Sequence, residues 1–122
     1  YKPPSYYINK GHELANKNGV SFFMTTSPEE AVKDVDVIVT DVWASMGQEE
    51  ECDKRRIDFD GYQVNKKLLT LAKEDTIVLH CLPAHRGEEI TNEILEAHAD
   101  TIFEEAENRL HAQKAVLVKL LK

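Results

Sequence analysis

The stretch that decides the fold of this chain is residues 76–82, with the sequence TIVLHCL. Apart from His80 it is almost entirely apolar, which is typical of a β-strand that is covered on both faces. A similar run, residues 35–39, comes earlier in the chain and ends at Thr40-Asp41. Strands of this kind belong to parallel sheets, and parallel neighbours are joined through helices. The sequence therefore predicts helices around and between the two strands.

Helix signals fill most of the remaining chain. Ser27, Asn65 and Thr91 are residues of the types that commonly cap a helix. From such signals we expect helices at residues 5–19, from 27 to about 33, through 49–56, after 65, after 91 and at 108–122. Two short strands are expected at residues 20–24 and 101–103. This alternation predicts an α/β fold with three layers, in which a mostly parallel sheet carries helices on both faces.

Composition narrows the class of protein. With 122 residues, 42% apolar and 30% charged, the chain has the length and proportions of one folded domain. Its net charge of −7 argues against a nucleic-acid partner, because neutralising phosphates needs clustered Lys and Arg. No apolar stretch approaches the roughly 20 residues of a membrane helix, so no membrane partner is expected. Cys52 and Cys81 lie far apart, which argues against a disulfide framework or a zinc module and indicates a reducing, intracellular setting.

Ligands of parallel sheets bind beyond the carboxyl ends of the strands, so the segments that follow each predicted strand are the candidates for a site. These segments are 25–26, 41–47, 80–86 and 104–109. The last three are the most polar and unusual parts of the chain. We therefore expect a binding site built from these three segments.

Segment 41–47 places a carboxylate, Asp41, and a hydroxyl, Ser45, four residues apart at a strand end. The carboxylate suits an ammonium group, while Ser45 and the backbone N–H groups near Gly47 suit an anion. One interpretation is a site for the α-amino and α-carboxyl groups of an amino acid. The other is a helix-capping Asp or Ser followed by a turn glycine, with no ligand.

Segment 80–86 combines a thiol with basic residues at the end of the second strand. Cys81 is open to four interpretations: a nucleophile, a metal ligand, the passive wall of a pocket, or a buried and inert thiol. A zinc site would need His80, Cys81 and His85 to converge. Neighbours on a strand point to opposite faces, so we expect no metal there.

Segment 104–109 surrounds Arg109 with the carboxylates of Glu104, Glu105 and Glu107. Arg109 is either a donor aimed at a developing oxyanion in the pocket or the partner of a solvated acidic turn. The chain has neither a GxGxxG nor a GxxxxGK[ST] loop. A complete dinucleotide site or P-loop is therefore not expected.

The predicted last helix, about 108–122, carries its lysines in one sector and a broad apolar arc opposite them, formed by Val116, Leu117, Leu120 and Leu121. That arc packs either on this domain's own sheet or on a partner domain outside the chain. The sequence by itself leaves both arrangements open.

Three motifs together resemble the C-terminal part of the ornithine carbamoyltransferase family. They are DVWASMGQE at 41–49, HCLP at 80–83 and EAENR at 105–109, in that order and at family-like spacing. The sequence FDGYQV at 59–64 adds support, and the likeness covers essentially the whole chain. The resemblance implies that residues 1–122 are the Rossmann-like, ornithine-binding half of a transcarbamylase, incomplete at its N-terminus.

The resemblance implies an enzyme of arginine metabolism, a carbamoyltransferase. Such an enzyme transfers the carbamoyl group of carbamoyl phosphate to the δ-amine of L-ornithine, giving L-citrulline and phosphate. On this analogy Asp41 and Ser45 hold the α-amino group of ornithine. The backbone near Met46 holds its α-carboxylate.

The same analogy assigns the catalytic groups. Cys81 and Leu82 would lie beside the attacking amine and the carbamoyl group of carbamoyl phosphate. Arg109 would bind carbamoyl phosphate and polarise its carbamoyl oxygen. No metal or organic cofactor is implied.

Family members also carry an N-terminal domain, with a Ser-Thr-Arg-Thr phosphate loop that binds carbamoyl phosphate, and this domain forms most of a trimer interface. That loop does not occur in this sequence. We therefore expect the chain alone to be inactive. The missing domain is also one of the two surfaces on which the last helix could pack. The resemblance implies a full-length homotrimer, or a multiple of it, in the cytoplasm or, in a eukaryote, the mitochondrial matrix.

Two other functions stay open at this point. One is a carbamoyltransferase for another amine such as putrescine, and the other is a non-catalytic α/β binding module with the same fold. The sequence Ser45-Met46-Gly47 favours a substrate with an α-amino acid head over a simple diamine.

Overall fold

The computed structural model describes residues 1–45 and 47–121, and only the backbone of Glu49. In chain order the elements are helix α1 (Ser5–Asn18), helix α2 (Pro28–Ala31), strand β1 (Val37–Thr40), a 3₁₀ helix (Glu49–Glu51), helix α3 (Cys52–Asp58), helix α4 (Lys66–Leu69), strand β2 (Ile77–His80), helix α5 (Asn92–Ala97) and helix α6 (Ala99–Leu120). The predicted α/β class, with a parallel sheet and helices packed on it, is confirmed. Within the described ranges, no helix is both long and apolar enough to cross a membrane.

Strands β1 and β2 are adjacent and parallel, with Val37 opposite Ile77 and Thr40 opposite His80. The chain passes from β1 to β2 through α3 and α4, the helical connection that a parallel pair requires. Because the two strands are in register, both end at the same edge of the sheet. The residues that follow them therefore leave the sheet side by side.

Three of the short helices begin at the capping residues that the sequence indicates. The side-chain oxygens of Ser27, Asn65 and Thr91 each accept a hydrogen bond from the N–H three residues on, at 3.2, 3.0 and 3.4 Å. These bonds satisfy N–H groups that the start of a helix otherwise leaves without a partner. Helix α1 ends at Gly19, whose φ of 64° suits glycine far better than other residues.

The core lies on one face of the sheet. Val78, Ile90 and Ile102 are fully buried there, and α6 packs against β2 on this side. Alternate residues of a strand point to the opposite face. On that face Val37 and Val39 are 44% and 69% exposed, so the described part of the chain leaves it largely uncovered.

The strand expected at residues 20–24 is wrong. These residues are irregular, and Val20 and Phe23 are both exposed. A strand forms only where a neighbour supplies its backbone hydrogen bonds, and the described residues supply none to this segment as a sheet.

The strand expected at residues 101–103 is also wrong, because these residues belong to α6, which begins at Ala99 and not near residue 108. Ile102 is fully buried in the core, and the Thr101 hydroxyl donates to the Val78 carbonyl at 3.0 Å. These tertiary contacts outweigh the local preference of a β-branched and aromatic run for extended structure.

Candidate active site

The carboxyl ends of β1 and β2 bring Asp41 and Cys81 together, although they are 40 residues apart in sequence. The Cys81 thiol donates a hydrogen bond to Asp41 Oδ1 at 3.3 Å. The same oxygen accepts the Val42 N–H at 2.8 Å, which orients the carboxylate. The predicted meeting of segments 41–47 and 80–86 is thus observed directly.

The environment of Cys81 keeps its thiol protonated. Desolvation by the surrounding chain raises the pKa of the thiol, and the hydrogen bond to Asp41 and the negative charges of Asp41 and Glu105 raise that pKa further. A thiolate is the reactive form of cysteine, so this environment disfavours Cys81 as a nucleophile. Cys81 is also exposed, which excludes the interpretation as a buried, inert thiol.

His80 is fully buried, and both its ring nitrogens are engaged. Its Nδ1 accepts the Leu82 N–H at 3.0 Å, so the ring proton lies on Nε2, which donates to Glu89 Oε1 at 3.0 Å. Because neither nitrogen faces an open position, His80 in this arrangement cannot take a proton from Cys81. Its role is to hold the loop that follows β2.

Glu89 is a site residue that the sequence reasoning missed. Its side chain is fully buried, and its Oε1 accepts both the His80 Nε2–H and the His85 N–H, the second at 2.6 Å. Glu89 therefore holds the loop 81–85 at both ends, through His80 before it and His85 at its last residue. In the sequence it stands beside Glu88 like one of a pair of solvated acids, so no local signal marks it as buried.

The loop after β2 has an uncommon backbone. Leu82 adopts a φ of 55°, a left-handed conformation that is costly for a residue with a branched side chain, and its peptide bond to Pro83 is cis. The bond from its N–H to His80 Nδ1 helps to hold this conformation. A left-handed φ at a residue other than glycine is found preferentially at binding and catalytic sites.

A cavity of about 390 Å³ opens beside the Asp41–Cys81 pair. Its lining comes from the ends of both strands and the first residue of α3: Asp41, Val42, Ala44, Ser45, Cys52, Leu82, Pro83 and His85. The predicted site residues Asp41, Ser45 and Leu82 therefore share one cavity, and Cys81 lies at its edge through its bond to Asp41. Met46 lies outside the described residues.

The loop 41–48 is held by its own polar contacts and by α3. The Ser45 N–H donates to Gln48 Oε1 at 3.1 Å, and the Gln48 N–H donates back to the Ser45 carbonyl at 3.0 Å. Arg55 Nη1 donates to the Trp43 carbonyl at 2.9 Å. These bonds hold the backbone of Trp43 and Ser45, and so keep Ser45 beside the cavity.

The sequence predicts Arg109 just beyond a strand end, and this prediction is wrong. Arg109 lies in the middle of α6, is exposed and is not part of the cavity lining, and its guanidinium makes no hydrogen bond or ion pair with another described residue. Four residues earlier on the same helix face, Glu105 is close enough to act on the Cys81 thiol. Arg109 therefore sits one helical turn beyond the residue that faces the site.

Strand alternation does not separate the side chains of His80 and Cys81, contrary to the expectation. β2 ends at His80, so Cys81 does not follow the alternation, and ligand atoms of Asp41, His80 and Cys81 lie within 4.8 Å of one another. However, both His80 nitrogens already hold hydrogen bonds to Leu82 and Glu89. A cation at this cluster would have to break one of those bonds.

Comparison with known families gives one clear result. Residues 1–120 match the family model described as "Aspartate/ornithine carbamoyltransferase, Asp/Orn binding domain". The match therefore covers both strands, all six helices and every residue of the cavity.

Individual relatives agree with the family match. The chain is 52% identical over 121 residues to the ornithine carbamoyltransferase of Caldicellulosiruptor saccharolyticus, covering 95% of this chain and 39% of that protein. Among solved structures, the anabolic ornithine carbamoyltransferase of Campylobacter jejuni superposes with a TM-score of 0.93 at 42% identity, covering 98% of this chain and 40% of that one. The Pyrococcus furiosus enzyme gives 0.86 at 51% identity, covering 96% and 37%. The chain thus spans about two-fifths of the length of these relatives.

Proposed function

The chain belongs to the aspartate/ornithine carbamoyltransferase family, as part of its Asp/Orn binding domain, and from this premise we propose that it is the ornithine-binding part of an ornithine carbamoyltransferase. The reaction transfers the carbamoyl group of carbamoyl phosphate to the δ-amine of L-ornithine and yields L-citrulline and phosphate. The observation that carries the proposal is the Asp41–Cys81 pair at the edge of a cavity that Ser45 and Leu82 also line.

Asp41 and Ser45 are proposed to bind the α-amino group of ornithine. The Asp41 carboxylate lines the cavity and supplies the negative charge that an ammonium group requires. Ser45 lies on the same cavity at a position that its contacts with Gln48 fix. The backbone near Met46 is proposed to hold the α-carboxylate.

Cys81 and Leu82 are proposed to lie beside the reacting δ-amine. The protonated thiol does not compete with this amine as a nucleophile, because its pKa is raised. The δ-ammonium first loses a proton to solvent, and the lone pair of the neutral nitrogen attacks the carbonyl carbon of carbamoyl phosphate. The bond from that carbon to the phosphate oxygen then breaks, and the second proton of the attacking nitrogen passes to the departing phosphate. The step balances with phosphate as the leaving group and needs no redox partner or cofactor.

Arg109 is proposed to polarise the carbamoyl oxygen, on which negative charge develops as the tetrahedral intermediate forms. In the described chain Arg109 is exposed and has no ion-pair partner among the described residues, so its cationic group is available. Reaching the reacting atoms requires carbamoyl phosphate to sit against α6, one turn beyond Glu105.

Carbamoyl phosphate binding is proposed to come from the rest of the complete protein. Val37 and Val39 leave an apolar face of the sheet open, and residues 107–120 of α6 are exposed throughout. Burying such apolar surface is strongly favourable, which suits these faces to a neighbouring domain. The isolated chain should then be inactive, and a complete homotrimer, or a multiple of it, in the cytoplasm or mitochondrial matrix is proposed.

Steady-state kinetics of the complete protein test this proposal. Citrulline should form from ornithine and carbamoyl phosphate, with no comparable carbamoylation of putrescine. Asp41→Asn should lower kcat/KM for ornithine about 10- to 100-fold, since a bond to a charged group is lost, and should leave the KM for carbamoyl phosphate nearly unchanged. Asp75→Asn, an exposed aspartate at the opposite end of β2, is the matched control.

Two results would contradict the proposal. One is a complete protein that carbamoylates putrescine in preference to ornithine. The other is an Asp41→Asn variant whose loss is the same for both substrates, since that pattern indicates a general defect and not loss of an ornithine contact.

A further inference from the structure

A second group of potential metal ligands lies behind the loop that follows β2. One ring nitrogen of His85 and one carboxylate oxygen each of Glu88 and Glu89 lie within 4.8 Å of one another. An imidazole combined with two carboxylates is a donor set that suits first-row divalent transition metals such as Zn²⁺ better than the oxygen-loving Mg²⁺ or Ca²⁺.

The second observation is an oxygen atom of Glu89. The side chain is fully buried, and its Oε1 accepts hydrogen bonds from His80 and from the His85 N–H. Its Oε2 is also buried, yet it has no hydrogen-bond partner among the described residues. A buried carboxylate oxygen without a partner is costly, and it indicates a place for a further ligand.

The other two ligands are less buried than Glu89, since His85 is exposed and Glu88 is half-buried. The His85 and Glu88 side chains are 49% and 24% exposed, and His85 Nδ1 lies 3.8 Å from Glu88 Oε2, too far for a hydrogen bond. Arg56 binds the other oxygen of Glu88, Oε1, at 2.8 Å, which leaves Oε2 turned towards His85. Ligands of a tetrahedral ion with bonds of about 2.1 Å lie about 3.4 Å apart. The 3.8 Å between His85 Nδ1 and Glu88 Oε2 therefore has to shorten only slightly.

We propose that His85, Glu88 and Glu89 form a binding site for a divalent transition-metal cation of the Zn²⁺ class. Glu89 is the fixed ligand, through Oε2, because its hydrogen bonds hold it in place. His85 and Glu88 close over the ion from the exposed side. Since His85 also lines the 390 Å³ cavity, the ion would sit next to that cavity and stiffen the loop beside it.

Zn²⁺ titration by calorimetry tests this site. The complete protein is used in a Cys81→Ser background, so that a thiolate at the Asp41–His80–Cys81 cluster does not contribute. We expect His85→Ala and Glu88→Gln each to remove one Zn²⁺ equivalent, or to weaken it about tenfold or more. Mg²⁺ at the same concentration should not compete.

His111→Gln is the matched control, because His111 is an exposed imidazole 3.5 Å from a glutamate, Glu107, on the distal part of α6. Circular dichroism checks that each variant is folded, which is expected because His85 and Glu88 are not part of the core. The proposal is overturned if His85→Ala and Glu88→Gln bind Zn²⁺ as the His111→Gln protein does, or if none of the proteins binds it. These are binding readouts, so they do not depend on the proposed reaction.

Discussion

The loop after β2 and the distal half of α6 (residues 107–120) are held in opposite ways. In the loop, Gln63 Nε2 donates to the Gly87 and Glu88 carbonyls at 2.9 and 2.8 Å, and the buried Glu89 ties His80 to His85. In the distal half of α6 every residue is exposed, and among the described residues its hydrogen bonds and ion pairs stay within the helix.

The loop is held by hydrogen bonds to other parts of the chain, whereas the distal half of α6 lacks such bonds among the described residues. Hydrogen bonds between distant residues place the site loop with no help from outside the chain. The distal half of α6 instead presents Leu110, Leu117 and Leu120 to solvent. A helix with so much apolar surface is stable mainly when that surface is packed against something else.

The largest expected effect is at the anchored loop. Glu89→Ala removes the acceptor of two N–H groups, one buried and one half-buried, which should lower the free energy of unfolding of the complete protein by about 2–3 kcal/mol. Urea denaturation in the presence of a metal chelator measures it. The control is Glu93→Ala, which breaks only an exposed ion pair with Lys66 and should cost less than about 0.5 kcal/mol. Equal costs for the two variants would mean that Glu89 does not anchor the loop.

The next largest effect is expected in the distal half of α6. If the rest of the complete protein covers the apolar side of α6, Leu117→Ala should cost about 2 kcal/mol there, as truncation of a covered leucine does. Lys119→Ala, on the opposite side of the helix, should be nearly neutral. Urea denaturation of both variants decides the point. A Leu117→Ala cost no larger than that of Lys119→Ala would show that this side of α6 faces solvent in the complete protein.

The smallest effect concerns the Cys81 thiol. Because its pKa is raised in the folded chain, the folded state holds the proton more tightly than the unfolded state. The resulting stability is fully present below the pKa of the unfolded thiol and is lost as the pH rises through the higher, folded-state value. Iodoacetamide should therefore modify Cys81 slowly at neutral pH and faster only in more alkaline solution.

Asp41→Asn sharpens this test. It removes a negative charge and a carboxylate acceptor next to the thiol, so the pKa of Cys81 should fall and its alkylation at pH 8 should become several-fold faster. Both proteins carry Cys52→Ser, so that only Cys81 reacts. An unchanged rate would show that Asp41 does not control the protonation of Cys81.

Much of the fold was predictable because its signals are local. The apolar runs before Asp41 and Cys81 became β1 and β2, and Ser27, Asn65 and Thr91 cap their helices as expected. The run at residues 101–103 also carries a local signal, but that signal gave a wrong prediction. Its strand preference is real, but the burial of a helical Ile102 against β2 outweighs it, and no local pattern contains that contact.

Some features of the site could also be predicted from local sequence, and others could not. The proximity of Asp41 and Cys81 follows from the rule that parallel strands end at one edge, so two short motifs sufficed to predict it. The position of Arg109 could not be predicted from that rule, because it depends on the residue at which α6 begins. Glu89 could not be found at all, since its burial arises from residues on other elements that close over it.

By itself the sequence determined the capped helices, the two strands and the presence of a carboxylate and a thiol just beyond them, because side-chain type and spacing act over a few residues. Only the tertiary structure decided that the pKa of Cys81 is raised, that both nitrogens of His80 are hydrogen-bonded and that Glu89 holds the loop from inside. Charge and hydrogen bonding depend on the distance between groups in space and on the exclusion of water around them. Neither quantity exists until distant parts of the chain have come together.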